Sequence, residues 1–233
     1  MPSLENELAR RFTLRTHQFA HAGFRAELIA PAAPDELIDV SDFNIDERLP
    51  YWAELWPSAR ALAMELIDGP IPVSPVLELG CGLALPSLAL RWRGVDVLAT
   101  DYYPVALEFA IANAIRNAIP PPRILHLDWR SPPAELAPFD LVIAADVLYE
   151  RRNAEILADL LPRLVSESGQ AVIADPGRAA VPLFRKLVEA QGWHVREIAS
   201  RRVPGVTEGR EVEIHPLSAG PAPSEEESRM LAG

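Results

Sequence analysis

Apolar residues along this chain follow two alternating rhythms from Tyr51 onward: short continuous runs, and longer stretches where they return every three or four positions. The first rhythm predicts strands buried on both faces, the second amphipathic helices. Val76–Leu79, Val95–Thr100, Ile124–Leu127, Phe139–Ala145 and Ala171–Ala174 are the expected strands. Helices are expected over Ser58–Ile67, with Pro57 at the favoured first position, over Pro86–Trp92, stopped at Gly94, and from Pro104 to about Ala118. Another runs from about Asn153 to Val165, with Pro162 predicting a kink or early stop, and one more spans Ala179–Gln191 before Gly192. Strands alternating with helices predict an α/β, doubly wound, mostly parallel sheet covered on both faces. The last two strands, His194–Arg201 and Glu211–Leu217, have no helix between them, only a loop with Pro204, Gly205 and Gly209. They are expected as an antiparallel hairpin at one edge.

Before Tyr51 the pattern is mixed. Leu4–Phe12 reads as a short helix, and Thr13–Phe19 and Phe24–Ile29 as two strands flanking His21-Ala22-Gly23. Pro31 to Pro50, rich in acids and proline, reads as a loop. The expected organisation is an N-terminal extension over 1–50, one domain over 51–217, and a disordered acidic tail over 218–233.

Composition narrows the partners. With 49% hydrophobic and 24% charged residues, the chain has the profile of a globular protein with a sizeable core. A net charge of −11 argues against nucleic acid, which calls for clustered Lys and Arg, and suits a basic or neutral partner. No apolar run reaches the roughly 20 residues a membrane helix needs. Met1 to Arg15 is charged and lacks the core of a signal peptide, and Cys81 is alone, so a cytoplasmic protein without disulfides is expected. Lys186 is the single lysine. No metal site is expected, and oligomeric state leaves no readable mark.

The chemistry-bearing signal begins where the first strand of the domain ends, at Glu78-Leu79-Gly80-Cys81-Gly82-Leu83-Ala84. Gly80 and Gly82 let the backbone turn tightly and approach a ligand, and the next helix points its N-terminus at the same place. Asp101 follows about 20 residues on, at the end of the second strand, where a carboxylate binds ribose hydroxyls. Its alternative is a loop or capping aspartate. Both NAD and S-adenosylmethionine fit this much. Against NAD stand Leu85 in place of the last small residue of G-x-G-x-x-G, and the absence of a basic cluster for a pyrophosphate. S-adenosylmethionine has no phosphates, and its sulfonium is served by carboxylates and aromatic faces such as Glu78, Asp101, Tyr102 and Tyr103. Asp128-Trp129, after the third strand, offers an acid for an adenine amine and a ring to cover it, or else a core-edge Trp. Trp56 either closes the pocket from the other side or simply packs.

Taken in order, these residues form a series: Tyr51-Trp52-Ala53-Glu54-Leu55-Trp56-Pro57-Ser58, Leu77-Glu78-Leu79-Gly80-Cys81-Gly82 and Ala99-Thr100-Asp101-Tyr102. Asn113, Asn117, Asp128-Trp129 and Phe139-Asp140 leading to Ala145-Asp146-Val147-Leu148-Tyr149-Glu150 complete it. The series resembles the seven-β-strand, class I (Rossmann-like) lysine methyltransferase-like family. Its bacterial members are often labelled nicotinamide N-methylase-like, and it includes the methyltransferase of electron-transfer flavoprotein β-subunit lysines. The resemblance covers roughly Tyr51 to Leu217. It implies a seven-stranded sheet with an antiparallel C-terminal hairpin. It also implies S-adenosyl-L-methionine as cofactor, held by Trp56, Gly80, Cys81, Gly82, Asp101, Trp129 and the backbone near Ala145. Asp146 and Tyr149 match the family's Asp-x-x-Tyr element, which faces the acceptor. Ala84 departs from the family's third glycine, and residues 1–50 are poorly covered.

Methyl transfer from a sulfonium is an in-line displacement, so positioning and desolvation are the enzyme's main work. A lysine amine must lose a proton before attack; Asp146 is expected to orient the nitrogen and Tyr149 to orient it or wall it in. Their alternatives are a capping carboxylate and a packing ring. The prolines of an Asn/Asp-Pro-Pro-Tyr element, typical of enzymes acting on base amines, are missing. Arg178, in Asp175-Pro176-Gly177-Arg178, either touches an acidic acceptor or belongs to a surface turn. The expectation is N-methylation of a protein lysine. Alternatives are a small-molecule amine, a cofactor-binding partner protein without catalysis, and an NAD oxidoreductase. Substrate choice is expected in the extension, the loop around Ser131–Pro138 and the Pro204–Arg210 loop.

Overall fold

The computed structural model describes residues 3–33, 50–72, 75–136, 138–196, 198–203 and 211–219. Most of the expected Pro31–Pro50 loop (34–49), the Pro204–Arg210 loop and the tail from residue 220 lie outside the described residues.

Two strands without an exposed residue form the middle of the domain: β3 (Val76–Leu79) and β4 (Val97–Asp101). Side chains buried on both faces require helices above and below. One face is covered by α5 (Arg151–Leu164) and α6 (Val181–Ala190), through Leu157, Leu161, Phe184 and Val188. The other is covered by α2 (Pro57–Asp68) and α3 (Leu85–Trp92), through Leu62, Leu66 and Leu90. α4 (Pro104–Arg116) begins directly after β4. Proline stands in the first turn of α2, α3, α4 and α6, where its missing N–H costs no helical bond.

The remaining strands are β5 (Arg123–His126), β6 (Phe139–Ala145), β7 (Val165–Asp175), β8 (Trp193–Val195), β9 (Ala199–Arg202) and β10 (Glu211–Ala219). Their order is β5-β4-β3-β6-β7-β10-β8, with β9 also pairing β10. All pairs from β5 to β7 are parallel, whereas β10 runs antiparallel to β7, β8 and β9. The doubly wound sheet with an antiparallel C-terminal edge is therefore as expected, with two refinements. The last strand sits inside the sheet, and the penultimate one is divided into β8 and β9. The division falls beside Pro216, whose carbonyl accepts from the Arg196 N–H at 2.8 Å. Having no N–H of its own, Pro216 cannot complete the ladder there. The chain winds outward from β3 through β4 to β5, then resumes on the other side with β6. The crevice at that switch point, at the carboxyl ends of β3, β4 and β6, is where such sheets bind ligands.

Upstream, α1 (Leu4–Arg11) precedes a hairpin of β1 (Leu14–His21) and β2 (Phe24–Pro31), turned by Ala22 at φ 41° and Gly23 at φ 88°. Leu8, Phe24 and Leu28 share one core with Phe109, Leu85 and Leu88. The outer edge of β2 is closed by two asparagines of the α4 region. Asn113 accepts from the Ile29 N–H at 2.7 Å and donates to the Ile29 carbonyl at 3.2 Å. Asn117 treats Glu27 the same way, at 2.8 Å for each bond. Four helical residues rise about 6 Å and two strand residues about 6.7 Å, so the spacings match. Among the described residues, no helix is long and apolar enough to cross a membrane.

Candidate active site

The loop leaving β3 bends back on itself through Gly80 (φ 66°) and Gly82 (φ 50°). A Cβ on Gly82 would lie 3.0 Å from the Trp52 carbonyl oxygen, and one on Gly80 would lie 3.2 Å from the Trp129 ring. Both positions need glycine for conformation and for space. Ala84 also takes a left-handed conformation, at φ 63°, so the site where the family resemblance expected a third glycine keeps that glycine's geometry. For an L-residue this conformation costs about 1–2 kcal/mol. Glu78 lines the cleft but is 1% exposed, and its Oε2 accepts from the Ser87 N–H at 3.1 Å and from the Ser87 hydroxyl. It thus secures the start of α3, and burial pushes its carboxyl up to about 8. The Cys81 thiol is likewise pushed well up by burial, and the Cys81 N–H donates to the Thr100 carbonyl at 2.8 Å.

Asp101 ends β4 and meets this loop directly. Its Oδ2 accepts from the Gly82 N–H and its Oδ1 from the Tyr103 N–H, both at 2.9 Å. Burial pushes the carboxyl up to about 6, against the backbone N–H groups that favour its charge. The Tyr102 N–H is a third backbone donor to it, leaving part of the carboxylate's lone-pair capacity open. Tyr102 forms the rim beside Asp101, its ring 5.4 Å from that of Tyr103. Asp128 holds the Arg130 guanidinium through both oxygens, at 2.6–3.1 Å, and Trp129 leans against the Gly80 backbone and the apolar core. These groups line one cleft of about 1100 Å³, counting its open side.

The far end of the cleft is built by β6 and the start of α2. Ala145 closes the strand, and Asp146 turns away from it at φ 59°, its N–H donating to the Ala174 carbonyl at 2.9 Å. The Asp146 carboxylate accepts from Arg178 Nε at 2.6 Å, from Arg178 Nη2 at 2.6 Å and from the Ser58 hydroxyl at 3.1 Å. It does not cap α5, whose capping position is Glu150. Trp56, the residue before α2, donates from Nε1 to the Tyr51 carbonyl at 2.8 Å. Tyr149 packs edge-on against Tyr51 at 5.0 Å. A smaller recess adjoins the cleft and shares its wall, lined by Tyr51, Trp56, Asp146, Tyr149, Glu150 and Arg178.

Every residue assigned to the site from sequence therefore borders the one cleft. Two residues carry more than the sequence indicated. Arg178 lines the adjoining recess and pairs with Asp146, and its only signal was a place after the fifth strand on the ligand-bearing edge. Tyr51 supplies a wall of the recess, and its signal was the aromatic run from Tyr51 to Trp56.

Comparison with known proteins gives the family and the fold. The family model described as lysine methyltransferase matches residues 53–181. The electron transfer flavoprotein beta subunit lysine methyltransferase of Xenopus laevis is 33% identical over 68% of this chain and 67% of its own length. The EEF1A lysine methyltransferase 3 of Mus musculus is 31% identical over 68% of this chain and 70% of its own. The fold matches the magnesium protoporphyrin IX methyltransferase of Synechocystis PCC 6803, solved with bound S-adenosylmethionine. The TM-score is 0.52 at 18% identity, covering 78% of this chain and 86% of that one.

Proposed function

The chain belongs to the lysine methyltransferase family and is an S-adenosylmethionine-dependent methyltransferase, and on that premise we propose that it methylates the side-chain nitrogen of a protein lysine. The observation that carries this reading is the recess beside the cofactor cleft, where Tyr51, Trp56 and Tyr149 surround an opening bordered by Asp146. Aromatic walls suit the apolar stem of an unbranched alkylamine. The frog and mouse relatives, both named for lysines of protein partners, support the same acceptor class.

The residues fit the cofactor on their own geometry. A Cβ would fill the cradle at Gly80 and Gly82, and the Asp101 carboxylate, already latched to that cradle, keeps lone-pair capacity for the ribose hydroxyls. In this reading Trp129 and Asp128 serve the adenine, the backbone at Ala145 borders the reacting end, and Trp56 separates cofactor from acceptor. Glu78 and Cys81 shape the loop from behind, with Glu78 holding α3 in place. Tyr102 covers the ribose side. When bound, S-adenosylmethionine would supply the methyl group from its sulfonium to the lone pair of the amine. Asp146 and Tyr149 orient the nitrogen for that line of attack, and exclusion of water strengthens their hold. We assign this work to residues 51–217, with 1–50 as a docked extension, and place it in the cytoplasm, where a lone buried Cys81 needs no partner.

Transfer of a tritiated methyl group into a bacterial protein extract tests the acceptor. Label recovered as methyl-lysine in protein bands is the expected result. Label confined to the small-molecule fraction would overturn the protein acceptor, and cofactor binding with no label anywhere would overturn catalysis. Lys186 is this chain's single lysine, so self-labelling is confined to one position.

A further inference from the structure

We propose that Arg178 is a positioning residue for methyl transfer, its guanidinium clamped between the Asp146 carboxylate and the Trp56 ring so that the recess admits the neutral amine and repels ammonium. The inference rests on the acceptor reading of that recess. Three contacts fix the arginine. Its backbone N–H donates to Asp175 Oδ1 at 2.7 Å, just after the turn made by Gly177 at φ 82°. Its Nε and Nη2 both reach Asp146 Oδ1 at 2.6 Å. Its Cζ lies 5.5 Å from the centre of the Trp56 ring. Asp146 is equally constrained, with a side chain 3% exposed and a second oxygen bonded to Ser58.

An ammonium entering this recess finds no uncompensated carboxylate. Asp146 holds Arg178, and Glu150 holds Arg152. Behind them Asp175 is fully buried, burial pushes its carboxyl up, and its Oδ1 accepts from the Arg178 N–H. Tyr51 and Tyr149 contribute rings. The guanidinium is thus a resident cation where a second cation would otherwise sit. Like charge disfavours the protonated form of an incoming amine, the form that has no lone pair to offer. A planar fork that bonds the carboxylate and stacks on an indole does this without leaving the pocket.

The test needs no identified acceptor. n-Butylamine is titrated against the wild-type protein loaded with S-adenosylhomocysteine, by ligand-detected NMR, from about pH 7 to about pH 10, below the ordinary amine pKa near 10.4. Wild-type affinity is expected to rise about tenfold per pH unit, tracking the neutral amine. Arg178→Lys keeps the charge and should keep the slope. Arg178→Gln frees Asp146 for ammonium, so affinity should become nearly independent of pH and exceed wild type at least tenfold near pH 7. Unchanged S-adenosylhomocysteine affinity in both variants reports an intact fold. The same slope in Arg178→Gln as in wild type, or a flat wild-type profile, overturns the role of Arg178. If no protein binds the amine at any pH while all bind S-adenosylhomocysteine, the acceptor reading itself falls.

Discussion

Asp101 does two things with one carboxylate: it latches the glycine loop through the Gly82 N–H, and in the proposed site it receives the ribose. Asp101→Ala removes both, and calorimetry with S-adenosylhomocysteine should show binding lost. A pH series separates the two functions. With the free protein's Asp101 near 6, the carboxylate that accepts two hydroxyl hydrogens is depleted below that pH. Affinity should then fall by up to about tenfold per pH unit below 6. Asp101→Asn, which keeps one acceptor oxygen and cannot titrate, should bind weakly but without that slope. A wild-type profile that stays flat down to pH 5 would remove the carboxylate from the ribose. The glycine loop and Asp101 were legible in the sequence because strand, loop and acid follow one another at a spacing set by the fold. Arg178 was not. It meets Asp146 across 32 positions, only because β7 lies beside β6, and no local pattern encodes that adjacency.

At the scale of elements, the asparagine pair on α4 decides whether the N-terminal hairpin stays docked. Asn113 is fully buried and also donates to the Leu83 carbonyl at 3.3 Å, so it ties β2 to the glycine loop as well as to α4. Asn113→Ala would leave the Ile29 N–H and carbonyl buried without partners, at about 1–3 kcal/mol for such groups. In a chain of this size that lowers the melting temperature by roughly 2–12 °C, readable by calorimetry, and loosens cofactor binding through Leu83. A melting temperature within a degree of wild type would show that the edge of β2 needs no closure. Periodicity and proline placement announced nearly every helix and strand, the hairpin at Ala22-Gly23 included. They failed where pairing overrides local pattern. β7 begins at Val165 rather than Ala171: Val165 pairs with Phe139, and the regular ladder with β6 and β10 takes over only from Gln170, so the polar run Ser166-Glu167-Ser168 falls in the irregular stretch between. Gly169 permits this: a Cβ there would lie 2.9 Å from the Phe139 carbonyl, beside a register shift between Phe139 and Leu141. Pro162 sits inside the last turn of α5, which stops two residues later at Leu164.

For the molecule as a whole, the buried acids make stability depend on pH in an uncommon direction. A carboxyl whose folded pKa is raised takes up a proton on folding, so stability falls as pH rises from its unfolded value to its folded one. Asp101 does this between 3.8 and about 6, and Glu78 between 4.5 and about 8. Burial lowers His17 and His215 from 6.5, which acts oppositely: their contribution is complete above that pH and is lost as pH falls below it. Between pH 6.5 and 8 Glu78 therefore dominates, since Cys81 starts to count only above 9. One proton corresponds to at most about 1.4 kcal/mol per pH unit, so roughly 2 kcal/mol of stability, or about 4–8 °C in melting temperature, should be lost across that interval. Exposed carboxylates, the main source of the net charge of −11, are already ionised across that interval and add no slope. Glu78→Gln keeps an oxygen for the Ser87 N–H and cannot ionise, so its melting temperature should be nearly constant from pH 6.5 to 8 and exceed wild type at the upper end. Parallel curves for the two proteins would mean that Glu78 is already charged in the folded state. It would then hold α3 as an anion at the positive end of the helix rather than as a neutral acid.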